Sequence, residues 1–315
     1  MEFRHEPVLL QEVLEWMNVR EGGVYCDGTL GGGGHSEAIL EASGGTAVLY
    51  GIDRDDHAIA AAGARLAKYP GFHAIHGNFH DAADLLAEAG AGPLDGVLLD
   101  LGVSSPQLDT PERGFSYHED APLDMRMDQS RGMTAAEYLN TASEREIMET
   151  IRDFGEEKWA ARIAKFICER RAEKPFETTF DLVAAVDAAI PRAVRRKDDG
   201  HPARRTFQAI RIRVNDELTP LEQALKDLTG CLKPGGRICV ITFHSLEDRI
   251  VKKCFKQLEN PCVCPPKAPI CTCGRKPVVR VLGGGAIPPS EAETERNPRA
   301  RSAKLRVAEK RKIGE

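Results

Sequence analysis

The chain has 315 residues, 42% hydrophobic and 29% charged, an ordinary globular balance that excludes wholesale disorder. A net charge of −5 excludes a uniformly basic nucleic-acid binder. No apolar run approaches the ~20 residues that span a bilayer, and the charged opening MEFRHEPVLLQEVLEWM has no apolar leader core, so a soluble cytoplasmic protein without membrane contact is expected. In chain order, apolar spacing predicts an amphipathic helix over 8–17 and a strand over 23–27 that runs into Gly28 and the glycines 31–34. Helices follow over 36–42, 57–69 and 81–89, separated by strands over 46–53, 72–76 and 96–101. Near-continuous apolar strands between helices predict a parallel sheet covered on both faces, a doubly wound α/β domain. From about 110 to 205 only helices are indicated, over 135–139, 144–154, 158–171 and 180–190. The α/β pattern then resumes: a helix over 218–232, a Lys-Pro-Gly-Gly turn, a strand over 237–243, a helix over 246–258, and strands over 278–282 and 303–308. The expected organisation is one discontinuous α/β domain, 1–109 with 207–315, interrupted by an all-helical domain over 110–206.

Charge is unevenly spread. Arg192 to Arg213 holds eight Lys/Arg against two acids, and Arg296 to Lys312 holds eight against Glu309 alone. Such clusters suit a surface that meets phosphates, with solvated helix faces or a loose basic tail as the plainer alternative.

The segment VYCDGTLGGGGHS sets glycines between a strand end and a helix start, where bare backbone N–H groups can approach a ligand. The next strand ends in Asp53, about twenty residues on, where a carboxylate can accept both hydroxyls of a ribose; the alternative is a helix cap. The run is not G-x-G-x-x-G, which counts against a dinucleotide. Asp27, just before the glycines, repels phosphate and welcomes an ammonium such as that of S-adenosyl-L-methionine.

The segments HEPVLLQEVL (5–14), DGTLGGGGHS (27–36), GIDRD (51–55), HGNF (76–79), LLDLGVSSPQLD (98–109), RGFS (113–116), PLDMRMD (122–128), FQAIRIRVNDEL (207–218), FHSLEDR (243–249) and NPRARSAKLR (297–306) together resemble the bacterial RsmH (MraW) family. The resemblance runs from His5 to Arg306. It implies a Rossmann-like class I S-adenosylmethionine-dependent methyltransferase sheet with an inserted helical domain. It also implies methylation of N4 of a decoding-centre cytidine in the 16S rRNA of the small ribosomal subunit. Cofactor contacts would fall on Gly33, Gly34, His35, Asp53, Phe79, Asp100 and Gln107. Whether the chain is a monomer or a homodimer stays open.

A cytosine amine is a poor nucleophile because its lone pair is delocalised into the ring. Acceptors for its N–H groups, and alignment with the methyl donor, are what catalysis needs. Asp100, or a backbone carbonyl near Ser105, is the candidate to orient that amine; Asp100 binding only the cofactor ammonium is the alternative. A base taken out of its stack also needs apolar and phosphate contacts. The inserted segment carries Arg113, Phe115, Tyr117, Arg126, Arg195, Arg196, Arg204, Arg205, Arg211 and Arg213 in or near it. Arg126, Arg211 and Arg213 are expected to matter more than the run 195–197, and Arg204 and Arg205 are expected to bind RNA in a salt-dependent way. Glu247 and Asp248 are read as first-turn acids of a helix capped by Ser245. Cys262, Cys264, Cys271 and Cys273 are expected as reduced thiols in a proline-stiffened loop, with a structural zinc site as the alternative. The other functions weighed are a nicotinamide-dependent Rossmann oxidoreductase and a non-catalytic RNA-binding protein.

Overall fold

A computed structural model of the chain describes residues 7–195, 200–265 and 270–312. They divide into two compact units: Met1–Gly102 with Leu218–Glu315, and Val103–Glu217. The first opens with helix α1 (Leu10–Met17), which starts two residues later than its apolar spacing suggests because Leu9 sits in the left-handed region at φ 55°. Then come β1 (Val24–Asp27), α2 (Gly34–Ala42), β2 (Val48–Asp53), α3 (Asp56–Leu66), β3 (Phe72–His76), α4 (Ala82–Glu88) and β4 (Leu94–Asp100). Leu49, Ile52, Val97, Leu98 and Leu99 are fully buried, the mark of strands covered on both faces.

The second unit is helical: α5 (Ser105–Asp109), α6 (Ala135–Thr141), α7 (Glu144–Gly155), α8 (Ala160–Glu173), α9 (Thr179–Ala189), α10 (Arg192–Arg195) and α11 (Arg204–Asn215). Reciprocal capping boxes start four of these helices, at Ser104/Gln107, Thr134/Glu137, Ser143/Glu146 and Thr178/Asp181. Ile147, Ile151, Ile163, Ile167, Phe207 and Ile210 form part of its core. The unit is wider than the expected 110–206. Val103 and Leu108 pack on that core at one end, and α11 carries Phe207, Ala209 and Ile210 into it at the other.

The chain then returns to the first unit through α12 (Leu221–Cys231), β5 (Leu232–Thr242), α13 (Ser245–Glu259), β6 (Val279–Ile287), α14 (Glu291–Arg296) and β7 (Lys304–Lys310). The seven-stranded sheet has the order β3-β2-β1-β4-β5-β7-β6. Strands β1 to β5 are parallel, while β7 lies antiparallel between β5 and β6. The parallel pairing expected for the first four strands holds, and the antiparallel β7 lies beyond the stretch for which it was expected. Lys233 to Gly236 does not break the chain; it bulges within β5, where the pairing with β4 jumps register between Leu94 and Gly96. The result is a Rossmann-like α/β sheet with one antiparallel strand, β7, set into its edge. Among the described residues no helix is long and apolar enough to cross a membrane.

Candidate cofactor site

Three parallel strands of the first unit end in a carboxylate at the same edge of the sheet: β1 in Asp27, β2 in Asp53 and β4 in Asp100. The glycine turn crosses this edge. The N–H of Gly28 donates to the Leu98 carbonyl at 2.9 Å, and that of Leu30 to the Ile52 carbonyl at 2.9 Å, so the turn is laced to both neighbouring strands. A Cβ at Gly28 would stand 2.6 Å from the end of the Leu99 side chain and 3.2 Å from the Cβ of Phe79, so any larger residue would have to push these neighbours aside. Gly33 takes φ 76° and starts α2 without a side-chain cap, and Gly34 and His35 form the first turn of that helix.

Asp27 is almost fully buried. Its Oδ2 accepts from Ser36 Oγ at 2.7 Å and its Oδ1 from the Thr29 N–H at 3.1 Å. Burial raises its carboxyl to about 6, against the lowering effect of those two donors. Both oxygens take part in holding the turn, and the carboxylate keeps further lone pairs besides. Asp53 has a double role. Its Oδ2 accepts from the Gly31 N–H at 2.8 Å and its Oδ1 from the Asp55 N–H at 2.9 Å, while burial raises its carboxyl. Capping of α3 falls instead to Asp55, whose side chain accepts from the His57 N–H.

Asp100 is different. Its backbone N–H donates to Thr29 Oγ1 at 2.6 Å, but its Oδ1 is shielded from water and accepts no hydrogen bond among the described residues. Its Oδ2 lies 3.7 Å from Nδ1 of the buried His35. The other ring nitrogen of His35 is 2.9 Å from the Val8 carbonyl, which fixes a proton on Nε2 and leaves Nδ1 turned to Asp100. Burial, then the charges of Asp27 and Glu247, push Asp100 well above the usual carboxylate range. A buried acceptor with no donor, in a field of like charge, is a place for a cation. Phe79, half-buried, begins the turn of 3-10 helix after β3. The chemistry of this set (a ribose-type acid, an aromatic ring, an unmatched buried acceptor) fits S-adenosyl-L-methionine, whose amino-acid part carries an ammonium group.

Gln107 belongs to the other unit. There its Oε1 accepts from the Ser104 N–H at 3.1 Å, which makes it half of a capping box. Ser105, beside it, is buried. Glu247 receives the N–H groups of Phe243 and His244 and is a helix-start residue as expected, yet the cap itself is His244, not Ser245. Asp248 pairs with Arg306 at 2.7 Å.

The arginines sort by their partners. Arg126 grips Asp124 with Nε at 2.8 Å and Nη2 at 2.9 Å, and Arg211 grips Glu217 with two contacts of 2.9 Å. Arg113 is buried and donates to the carbonyls of Arg126 and Met127. Phe115 is buried too. These four hold the helical unit together. Arg204 and Arg213 are exposed, Arg213 over the Tyr138 ring, and Arg205 stands 3.8 Å from Glu157. The run 195–197 lies outside the residues whose side chains are described. Sequence reasoning missed Thr29 and Ser36, which hold Asp100 and Asp27. Both stand inside the glycine motif, but spacing alone does not say which carboxylate a hydroxyl will find.

The MraW methylase family profile matches residues 2–311. Curated relatives named Ribosomal RNA small subunit methyltransferase H align along the same length. The one from Symbiobacterium thermophilum is 52% identical over all of this chain and 99% of its own. That from Heliobacterium modesticaldum is 53% identical over 98% and 99%. The one from Halothermothrix orenii is 50% identical over 97% and 98%. The acid-edged sheet, the glycine turn and the helical insertion all lie within the matched stretch, and the chain belongs to the MraW methylase family.

Proposed function

We propose that this chain is an rRNA methyltransferase that places a methyl group on the N4 amine of a cytidine in the 16S rRNA of the small ribosomal subunit, with S-adenosyl-L-methionine as donor. Its relatives carry the name of a small-subunit rRNA methyltransferase, and the family resemblance supplies the cytidine. The observation that carries the cofactor reading is the unmatched buried Oδ1 of Asp100 beside the glycine turn. When bound, S-adenosyl-L-methionine supplies an electrophilic methyl group on a sulfonium.

The residues of the chain do the rest. Asp53 keeps lone pairs beyond those given to Gly31 and Asp55, enough to take ribose hydroxyls. Phe79 offers a ring face for the adenine, and the backbone of Gly33, Gly34 and His35 lines the turn. Asp100 holds the ammonium of the amino-acid part: the surrounding carboxylates favour a full positive charge there over a neutral amine. The cytosine amine then needs only acceptors that keep it in line for attack, because the product ammonium is acidic and sheds its proton readily. No strong base is required. The helical unit presents Arg204, Arg205 and Arg213 to RNA phosphates, Gln107 is the further cofactor contact that the family resemblance implies, and the Ser105 carbonyl is the alternative to Asp100 for orienting the amine. The reaction sets the enzyme in the cytoplasm, with the small subunit as its partner. Family membership removes the nicotinamide alternative.

The test is methyl transfer from labelled donor to 30S subunits, to deproteinised 16S RNA and to 50S subunits, with the modified nucleoside identified by mass spectrometry. N4-methylcytidine from 30S subunits is expected; a different methylated nucleoside, or no transfer despite cofactor binding, overturns the substrate. Asp100→Asn should weaken cofactor binding about 10- to 100-fold, as loss of a charge-assisted contact does. Unchanged affinity with lost turnover would move Asp100 to the amine-orienting role instead.

A further inference from the structure

Four of the nine cysteines are unlike the rest. Cys26, Cys239 and Cys254 are buried among apolar neighbours, as free thiols usually are. Cys262, Cys264, Cys271 and Cys273 instead meet in an exposed or half-exposed loop between α13 and β6. We propose that these four form a tetrahedral zinc thiolate site that staples this loop.

The spacing of the sulfurs carries the argument. All four lie within 4.8 Å of one another. Cys262 and Cys271 are 3.6 Å apart, Cys264 and Cys271 3.8 Å, Cys271 and Cys273 3.5 Å, and Cys262 and Cys273 3.8 Å. Four sulfurs around one zinc, each at about 2.3 Å, stand about 3.8 Å from their neighbours at the corners of a tetrahedron. Two disulfides would sort the cysteines into pairs, whereas here Cys271 touches all three others. Apolar packing does not explain the gathering: Val263 is 61% exposed and Ile270 75%. The Thr272 N–H donates to Cys264 Sγ at 3.4 Å, the kind of contact that stabilises a thiolate ligand.

The base of the loop is already closed. The Val278 N–H donates to the Leu258 carbonyl and the Val281 N–H to Glu259 Oε1, both at 2.8 Å. A metal at the cysteines would close the tip, giving a segment with no core of its own a fixed shape. Four thiolates favour zinc or iron over magnesium or calcium. Zinc is the choice because four thiolates around a single ion are its common structural site.

The full chain, purified without chelator, should carry about one zinc by elemental analysis. Cys271→Ser should lose it, and Cys168→Ser, outside the loop, should keep it. Cobalt exchanged into the wild-type chain should give the visible and sulfur charge-transfer bands of a tetrahedral thiolate site, a readout that holds even if Cys271→Ser fails to fold. Metal-free protein with four reactive thiols in the loop, two disulfides there, or iron in place of zinc would each overturn the proposal.

Discussion

Asp27 shows how a binding edge is held at a cost to the fold. Its carboxyl is raised from the ordinary 3.8 to about 6, chiefly by burial. The folded chain therefore holds this proton more tightly than the unfolded chain does. Stability falls as pH rises from about 4 to about 6 and stays lower above that, by roughly 3 kcal/mol at order of magnitude. Asp27→Asn is thus expected to raise the thermal midpoint of the cofactor-free chain at pH 7.5 by several degrees, a gain that shrinks toward zero near pH 4. Melting curves across pH decide it; a midpoint that drops at pH 7.5 would mean the charge itself holds Ser36 and Thr29. Much of this edge is readable from sequence, because an acid at a strand end beside glycines has few other uses. The fates of Arg126 and Arg211 are not. Glu217 reaches Arg211 only because Asp216 turns the backbone to φ 47° after α11, and nothing in the linear spacing announces that return.

At the scale of elements, α11 begins in an unusual way. Arg204 and Arg205 open it with no side-chain cap, although cations are unfavourable at the positive end of a helix. Helix stability alone would not select them, which supports their role toward phosphate. Replacing Arg204 with Glu and Arg205 with Gln should weaken binding to 16S RNA and lower the salt slope by about 1.5 to 2, while cofactor affinity stays unchanged. Gln is preferred at Arg205 because a second acid would stand beside the buried Glu157. Affinities at several salt concentrations give the answer; an unchanged slope would place the RNA elsewhere. Elements with strong periodicity, such as β3 over Phe72–His76, were legible to the residue. What escaped was direction and irregularity. Apolar alternation is the same for a parallel and an antiparallel strand, so β7 between β5 and β6 could not be read from it. The bulge at Lys233 to Gly236 likewise carries the letters of a turn while remaining in a strand.

Across the whole molecule, the first unit is assembled from two stretches of chain separated by the whole of Val103–Glu217. Strand β4, buried on both faces, gains its second neighbour only when β5 appears. The last strand, β7, is an interior one, paired on both sides. Deleting Lys304–Lys310 should therefore expose the first unit to protease while Val103–Glu217 keeps its resistance, since its core is made of its own residues. Limited proteolysis followed by mass mapping checks this; a first unit as resistant as before would show β7 to be dispensable. On the ribosome, the same order of pairing leaves β4 a bare apolar edge during synthesis of the insertion, an invitation to aggregation that only continued elongation removes. A product halted short of Lys304 would hold every residue of the glycine turn and all three strand-end acids, yet lack the finished sheet beneath them. The fold thereby reads out whether its own message was translated through to these final strands.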